Sequence, residues 1–215
     1  MQVTDAGLKT LREIGLLHAL SSTAAKDGGR PSKLEEIDLL SLSGTRVTDL
    51  GLKELKDLKA LTTLDLSGTQ VTDAGLNTLK NLKAKALTDL DLSHTKVTDA
   101  GLKELTDLDL ERALTTLNLS STQVTNAGLK ALKDLKALTT LSLGSTQVTD
   151  AGLKELKDLK ALTTLNLSNT QLTNAGLKEL KDLKALTTLD LRSTGVTDAG
   201  LKELQQALPG CEIKR

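Results

Sequence analysis

Asp89, Asp91 and His94 fall within six residues of one another, with Ser93 beside the histidine and Asp65 one repeat earlier. Two carboxylates and an imidazole are ligands for a divalent metal. A serine next to a histidine is the start of a nucleophile–base pair. A catalytic zinc, however, takes three well-placed protein ligands, and residues i and i+2 of one strand face stand about 7 Å apart. Ser and Thr are abundant throughout this chain because they suit an exposed strand, so Ser93 beside His94 is not evidence of catalysis. The other reactive side chains are scattered: His18 is on the first helix, and Cys211 is near the far end, where it reads as a small buried hydrophobe. Gly28-Gly29-Arg30 lacks the Lys-Ser/Thr of a phosphate loop. The expectation is a protein that is not an enzyme and holds no metal or cofactor.

The elements that would position these residues recur. The stretch 61–84, LTTLDLSGTQVTDAGLNTLKNLKA, restarts at Ile37, Leu87, Leu114, Leu138, Leu162 and Leu186, at steps of 24, 26, 27, 24, 24 and 24 residues. A fixed period of this length with apolar residues at fixed offsets is the mark of a solenoid. In Leu64-Asp65-Leu66 the alternation is that of a strand, with Leu64 and Leu66 inward and Thr63, Asp65 and Ser67 outward. Thr72 is placed as a helix N-cap, and Asp73 meets the positive end of the helix dipole. Leu76, Leu79 and Leu82 make a helical stripe. Strands stack about 4.8 Å apart and helices about 8–10 Å apart, so the array must curve with its strands inside. Gly75 and its counterparts at the helix starts imply that a side chain there would strike a neighbouring strand or turn.

The pattern Leu-x-x-Leu-x-Leu-x-x-Thr-x-Val-Thr-Asp/Asn-x-Gly-Leu-x-x-Leu resembles the leucine-rich repeat family. Within it the repeats are most similar to the ribonuclease-inhibitor-like and cysteine-containing subtypes, and to bacterial repeats with the Thr-Asp-x-Gly-Leu helix start. The resemblance covers about 37–213, plus a half copy at Val3 to Leu11. It implies a right-handed α/β solenoid, a curved horseshoe with a parallel β-sheet on the concave face and helices on the convex face, that binds other proteins. Two departures stand out. Thr45, Thr69, Thr95, Thr122, Thr146, Thr170 and Thr194 replace the ladder Asn of many members, and the helical Cys is absent.

Three segments are expected: 1–36, a half-repeat helix plus polar loop; 37–208, seven repeats; and 209–215, a closing strand. The first helix is expected to run to about Leu20, along the stripe Leu8, Leu11, Ile14, Leu17. It is either a rudimentary cap or the remnant of a longer array. Ser21 to Lys33 reads as an exposed loop. The strand near Leu39 to Ser43 then either has an open upstream edge, inviting self-association, or is covered by 1–36. The extra residues at Lys85-Ala86 and in Leu108 to Ala113 are expected to raise local curvature. Pro209-Gly210 ends the last helix, and Cys211-Glu212-Ile213 closes the sheet.

Lys plus Arg equals Asp plus Glu, at 28 each, so no net charge points to nucleic acid or an anionic membrane. A single cysteine excludes an internal disulfide and favours a reducing, cytoplasmic setting. The chain has no Phe, Tyr or Trp, the usual anchors of a tight interface. Against the Thr/Ser/Gln background, the outward residues that deviate are Arg46, Asp65, Asp89, Asp91, His94, Lys96 and Arg192; these are the candidate protein-binding residues. Two functional classes follow: a protein-interaction module with an unknown protein partner, or a structural array, natural or consensus-built, with no specific ligand.

Overall fold

The computed structural model describes residues 3–20, 23–79, 87–106 and 113–215. Leu82, the Lys85-Ala86 insertion and nearly all of the Leu108 to Ala113 insertion lie outside the described residues, as do Met1, Gln2 and Ser21.

Seven three-residue strands carry the repeats: β2 (Leu39–Ser41), β3 (Thr63–Asp65), β4 (Asp89–Asp91), β5 (Thr116–Asn118), β6 (Thr140–Ser142), β7 (Thr164–Asn166) and β8 (Thr188–Asp190). They pair in parallel, in chain order and in strict register, so Leu40, Leu64, Leu90, Leu117, Leu141, Leu165 and Leu189 form one column. That column is fully buried, at 0–1% exposure. The residue on either side of each leucine faces outward, as the alternation requires.

The convex side holds α1 (Asp5–Glu13), α2 (Asp49–Leu52), α3 (Asp73–Leu79), α4 (Asp99–Thr106), α5 (Asn126–Leu132), α6 (Asp150–Leu153), α7 (Asn174–Leu177) and α8 (Asp198–Ala207). α2, α6 and α7 are single α-turns continued by 3-10 turns at Lys53–Leu55, Lys154–Leu156 and Lys178–Leu180. The leucine spacing is compatible with this tighter turn. Leu52, Leu55 and Leu58 are spaced by three, the period of a 3-10 helix, so one face stays buried throughout.

The Thr-Asp pair at each helix start does more than cap. Thr72 accepts from Ala74 N–H at 3.3 Å, as an N-cap should. Asp73 reaches forward to the next repeat, where its two carboxylate oxygens accept from Thr98 N–H at 2.8 Å and Thr98 Oγ1 at 2.7 Å. The same fork joins Asp5 to Thr48, Asp49 to Thr72, Asp99 to Thr125 and Asp150 to Thr173. Where Asn replaces Asp, the polarity of the second bond reverses: Asn126 Nδ2 donates to Thr149 Oγ1 at 2.8 Å, while its Oδ1 accepts from Thr149 N–H at 2.9 Å. Thr149 and Thr197, the two threonines that follow an Asn, make no side-chain cap bond. Their hydroxyls are occupied by the incoming amide.

This ladder also accounts for the repeated glycine. A Cβ on Gly75 would overlap the Asp49 carboxylate and reach Val71 Cγ1 at 2.8 Å. At Gly51, Gly101, Gly128, Gly152, Gly176 and Gly200 the first obstacle is likewise the Asp or Asn of the preceding helix start. The expected close approach exists, but its partner is that side chain rather than a strand or turn.

The N-terminal segment departs from expectation. α1 stops at Glu13, because Gly15 adopts φ +72° and closes the helix with Leu16 N–H to Leu11 O at 2.7 Å and Gly15 N–H to Arg12 O at 3.1 Å. Leu17–Ala19 follow as a separate 3-10 turn, and Ile14 faces solvent instead of extending the apolar stripe. Arg12 ties α1 to the first repeat through Glu54 and Asp57, both at 3.0 Å. Those two acceptors hold its guanidinium pKa above the usual arginine value. The segment read as loop contributes β1 (Thr23–Ala24), which pairs antiparallel with β2 at Leu39 and Leu40. The upstream edge is therefore covered there, and Leu39 is half-buried. Of the two arrangements for that edge, the 1–36 segment folds over it. At the other end β9 (Glu212–Lys214) pairs parallel to β8 and closes the sheet. Cys211 is buried, and burial, followed by the nearby Glu212, pushes its thiol pKa up.

Candidate protein-binding surface

The outward residues of β3 to β6 surround a hollow of about 200 Å³ on the concave face. Its polar lining includes Asp65, Asp89, Asp91, Thr116, Asn118 and Ser142. Three of the candidate residues are thus brought together, and they are not equivalent. Asp65 and Asp91 end their strands, and each folds back on its own turn. Asp65 Oδ1 accepts from Ser67 N–H at 3.0 Å and Ser67 Oγ at 2.6 Å, and Oδ2 accepts from Ser41 Oγ at 2.8 Å. Asp91 takes Ser93 N–H at 2.8 Å, Ser93 Oγ at 2.6 Å and Asn118 Nδ2 at 2.9 Å. Asn118 and Asn166 accept from Ser120 and Ser168 N–H in the same way. An acceptor side chain at this position, two residues before a backbone donor, is a turn-forming device. Asp89 differs. It occupies the place held by Thr in five other repeats, and among the described residues its carboxylate accepts one hydrogen bond, from the adjacent Thr88 Oγ1 at 2.6 Å. Of the three carboxylates, Asp89 is the one not committed to the fold.

The remaining candidates lie elsewhere. His94 is exposed at φ +56°, in a turn position also occupied by Gly44, Gly68, Ser121, Ser145, Asn169 and Ser193. The ladder threonines close this turn: Thr95 Oγ1 donates to Leu92 O at 2.6 Å, and Thr69 and Thr122 do the same in their repeats. That is what Thr does in place of Asn here. Arg46 and Lys96 sit two residues past the turn residue, exposed in a row with Gln70, Gln123, Gln147 and Gln171. Arg192 is five strands from Asp65, about 24 Å at about 4.8 Å per strand. Its guanidinium is spent on Asp190, with contacts of 2.6–3.1 Å. That pairing is the main reason the Asp190 carboxyl lies below its ordinary range, against the opposing effect of burial. Among the described residues, no group of three or more His, Cys, Asp or Glu is placed to hold a metal. Thr116 and Ser142 also line the hollow but belong to the background residue types, and Asn118 holds a place that varies among Ser, Asp and Asn, so a search for deviations did not single them out.

A leucine rich repeat family matches residues 112–172, and a second leucine rich repeat family matches 59–80, 85–106 and 184–204. The chain is a leucine-rich-repeat protein. No curated protein matches it. Among solved structures, it is similar to internalin C2 of Listeria monocytogenes, at 26% identity and TM-score 0.62, over 98% of this chain and 92% of that one. It is also similar to the internalin InlF of the same organism, at 26% identity and TM-score 0.61, over 81% of this chain. A Leptospira interrogans leucine-rich-repeat protein aligns at 27% identity and TM-score 0.65, over 95% of this chain. The matched region is 52% of the InlF chain and 57% of the Leptospira chain, so this leucine-rich-repeat chain spans little more than half the length of either. All three relatives are bacterial, and they share its curved solenoid of parallel strands flanked by helices.

Proposed function

We propose that this leucine-rich-repeat chain is a non-enzymatic protein-interaction module whose concave face is its binding surface, centred on Asp89. The observation that carries this reading is the contrast among the three carboxylates: Asp65 and Asp91 serve their turns, whereas Asp89 replaces a background Thr, makes one local bond and lines the hollow. A carboxylate-edged hollow without aromatic anchors favours a basic, polar protein segment, held by hydrogen bonds and partly exposed charge. Such contacts are modest in strength and weaken with salt. In this reading the repeats lie nearest the ribonuclease-inhibitor-like and cysteine-containing subtypes, on the strength of the Leu-x-x-Leu-x-Leu-x-x-Thr-x-Val-Thr-Asp/Asn-x-Gly-Leu pattern.

The test is quantitative capture of partner proteins on the immobilised chain and on Asp89→Thr, which restores the background residue. The reading expects a protein retained by the parent at low salt, released at high salt and lost on Asp89→Thr. Equal retention by both, with unchanged circular dichroism, would remove Asp89 from the surface. Retention of nothing specific would favour a structural array.

A further inference from the structure

We propose that the partner of the concave face makes a second contact on its rim, where His94 and Lys96 hold an acidic side chain of the same extended segment whose basic side chain meets Asp89. The inference rests on the concave-face reading and specifies its partner: a protein segment with a Lys or Arg and an Asp or Glu four or five residues apart. The outward residues that leave the background are gathered in one repeat. At four successive heights the second repeat has Thr63, Asp65, Gly68 and Gln70, and the fourth has Thr116, Asn118, Ser121 and Gln123. The third repeat, between them, has Asp89, Asp91, His94 and Lys96. Asp91 is held by Ser93 and Asn118, which leaves Asp89, His94 and Lys96. β3 and β5 flank β4 in register, so this line of residues lies inside the array.

The line changes sign along its length. Asp89 opens β4 with a carboxylate. The backbone keeps its ladder up to the turn, with Leu92 N–H donating to Asn118 O and His94 N–H to Ser120 O, both at 2.9 Å. Asp89 to Ser93 is four residues, about 13 Å at about 3.3 Å per residue, which an extended segment lying along β4 matches with four or five of its own. Beyond the turn Lys96 presents a cation, and His94 offers an N–H donor in either protonation state. Both are exposed. Among the described residues neither makes a side-chain hydrogen bond or ion pair, and no acidic residue occupies their two rows in the seven repeats. Arg12, Arg192 and Arg215, by contrast, each have a carboxylate partner. Opposite charges at the two ends of the line fix the direction of the segment and disfavour one that is basic or acidic throughout.

The probe is a library of randomised twelve-residue peptides, displayed in many copies so that weak binders are retained, and selected on the immobilised chain at low salt. Enriched sequences should pair a basic with an acidic residue at that spacing. Fluorescence anisotropy of one enriched peptide then separates the two contacts. Replacing its acidic residue by the amide should weaken binding to the parent about two- to fivefold, the range of a partly exposed ion pair. The same replacement should not weaken binding to the double variant His94→Ser, Lys96→Gln, which restores residues found at these heights in other repeats and so keeps the fold. Replacing the basic residue should weaken binding to the parent and to that double variant, but not to Asp89→Thr. Dependence on the basic residue through Asp89, with the acidic residue indifferent to His94 and Lys96, overturns this inference and leaves the concave-face reading standing. Peptides indifferent to Asp89→Thr, or no enrichment at all, overturn both.

Discussion

Gly152→Ala should destabilise the array although alanine is the better helix residue. The added Cβ would overlap Asn126 Oδ1 and lie 3.0 Å from Leu129 Cδ1. Leu129 Cδ1 is the end of a flexible chain and can yield. Asn126 cannot move without releasing Thr149 N–H, at 2.9 Å, and Thr149 Oγ1, at 2.8 Å. A partly buried N–H left unpaired costs about 1–3 kcal/mol, and the lost side-chain bond about 0.5–1.5 kcal/mol. The helix-propensity gain of alanine over glycine returns about 1 kcal/mol. The net loss is about 0.5–3.5 kcal/mol, which lowers Tm by roughly 1–14 °C for a chain of this size. Denaturant unfolding of the four corners of a cycle with Asn126→Ala isolates the cause. In the Asn126→Ala background, Gly152→Ala should turn neutral or stabilising by up to about 1 kcal/mol. Equal destabilisation in both backgrounds would refute the assignment of the obstacle to Asn126. Gly7→Ala is the internal control: with open space at that site it should stabilise the chain.

Three further outcomes follow. Leu143, fully buried, should cost about 2–5 kcal/mol on Leu143→Ala, whereas Ser142→Ala should be nearly silent in the same melts. His94→Gly should raise Tm slightly, because a left-handed residue other than glycine carries about 1–2 kcal/mol of strain, offset by about 0.5–1 kcal/mol for the freer unfolded glycine. Asp190 has a folded pKa depressed chiefly by its hydrogen bond with Arg192. Its contribution is therefore present above the unfolded carboxyl value, about 3.9, and is lost as pH falls through the lower folded one. Arg192→Ala should raise the Asp190 pKa and move the acid-unfolding midpoint to higher pH, as followed by circular dichroism.

The sheet register was legible because Leu-x-Leu alternation admits one buried face, and Leu40 through Leu189 fill it. The helix starts were legible as caps, but not as a ladder. Asp73 beside Thr72 satisfies local rules on its own, and only stacking reveals that its carboxylate belongs to Thr98 in the next repeat. The N-terminal segment was the least legible. Leu8, Leu11, Ile14 and Leu17 keep a helical period, yet Gly15 breaks the helix, and two residues with no strand signal, Thr23 and Ala24, cover the sheet edge. In the candidate surface, deviation from the repeat identified Asp89 correctly as an outward group. It gave Asp65 and Asp91 the same weight, because a sequence does not separate a carboxylate that closes a turn from one that faces a partner.

The claim that recognition belongs to the concave face is tested most directly by measuring the affinity of a captured partner for three proteins. These are the parent, Asp89→Lys on the concave face, and Lys130→Glu on the exposed side of α5. The account expects Asp89→Lys to weaken binding at least about tenfold, with Lys130→Glu equal to the parent and all three equally folded. Loss on Lys130→Glu with Asp89→Lys unchanged would contradict it and place recognition on the convex helices.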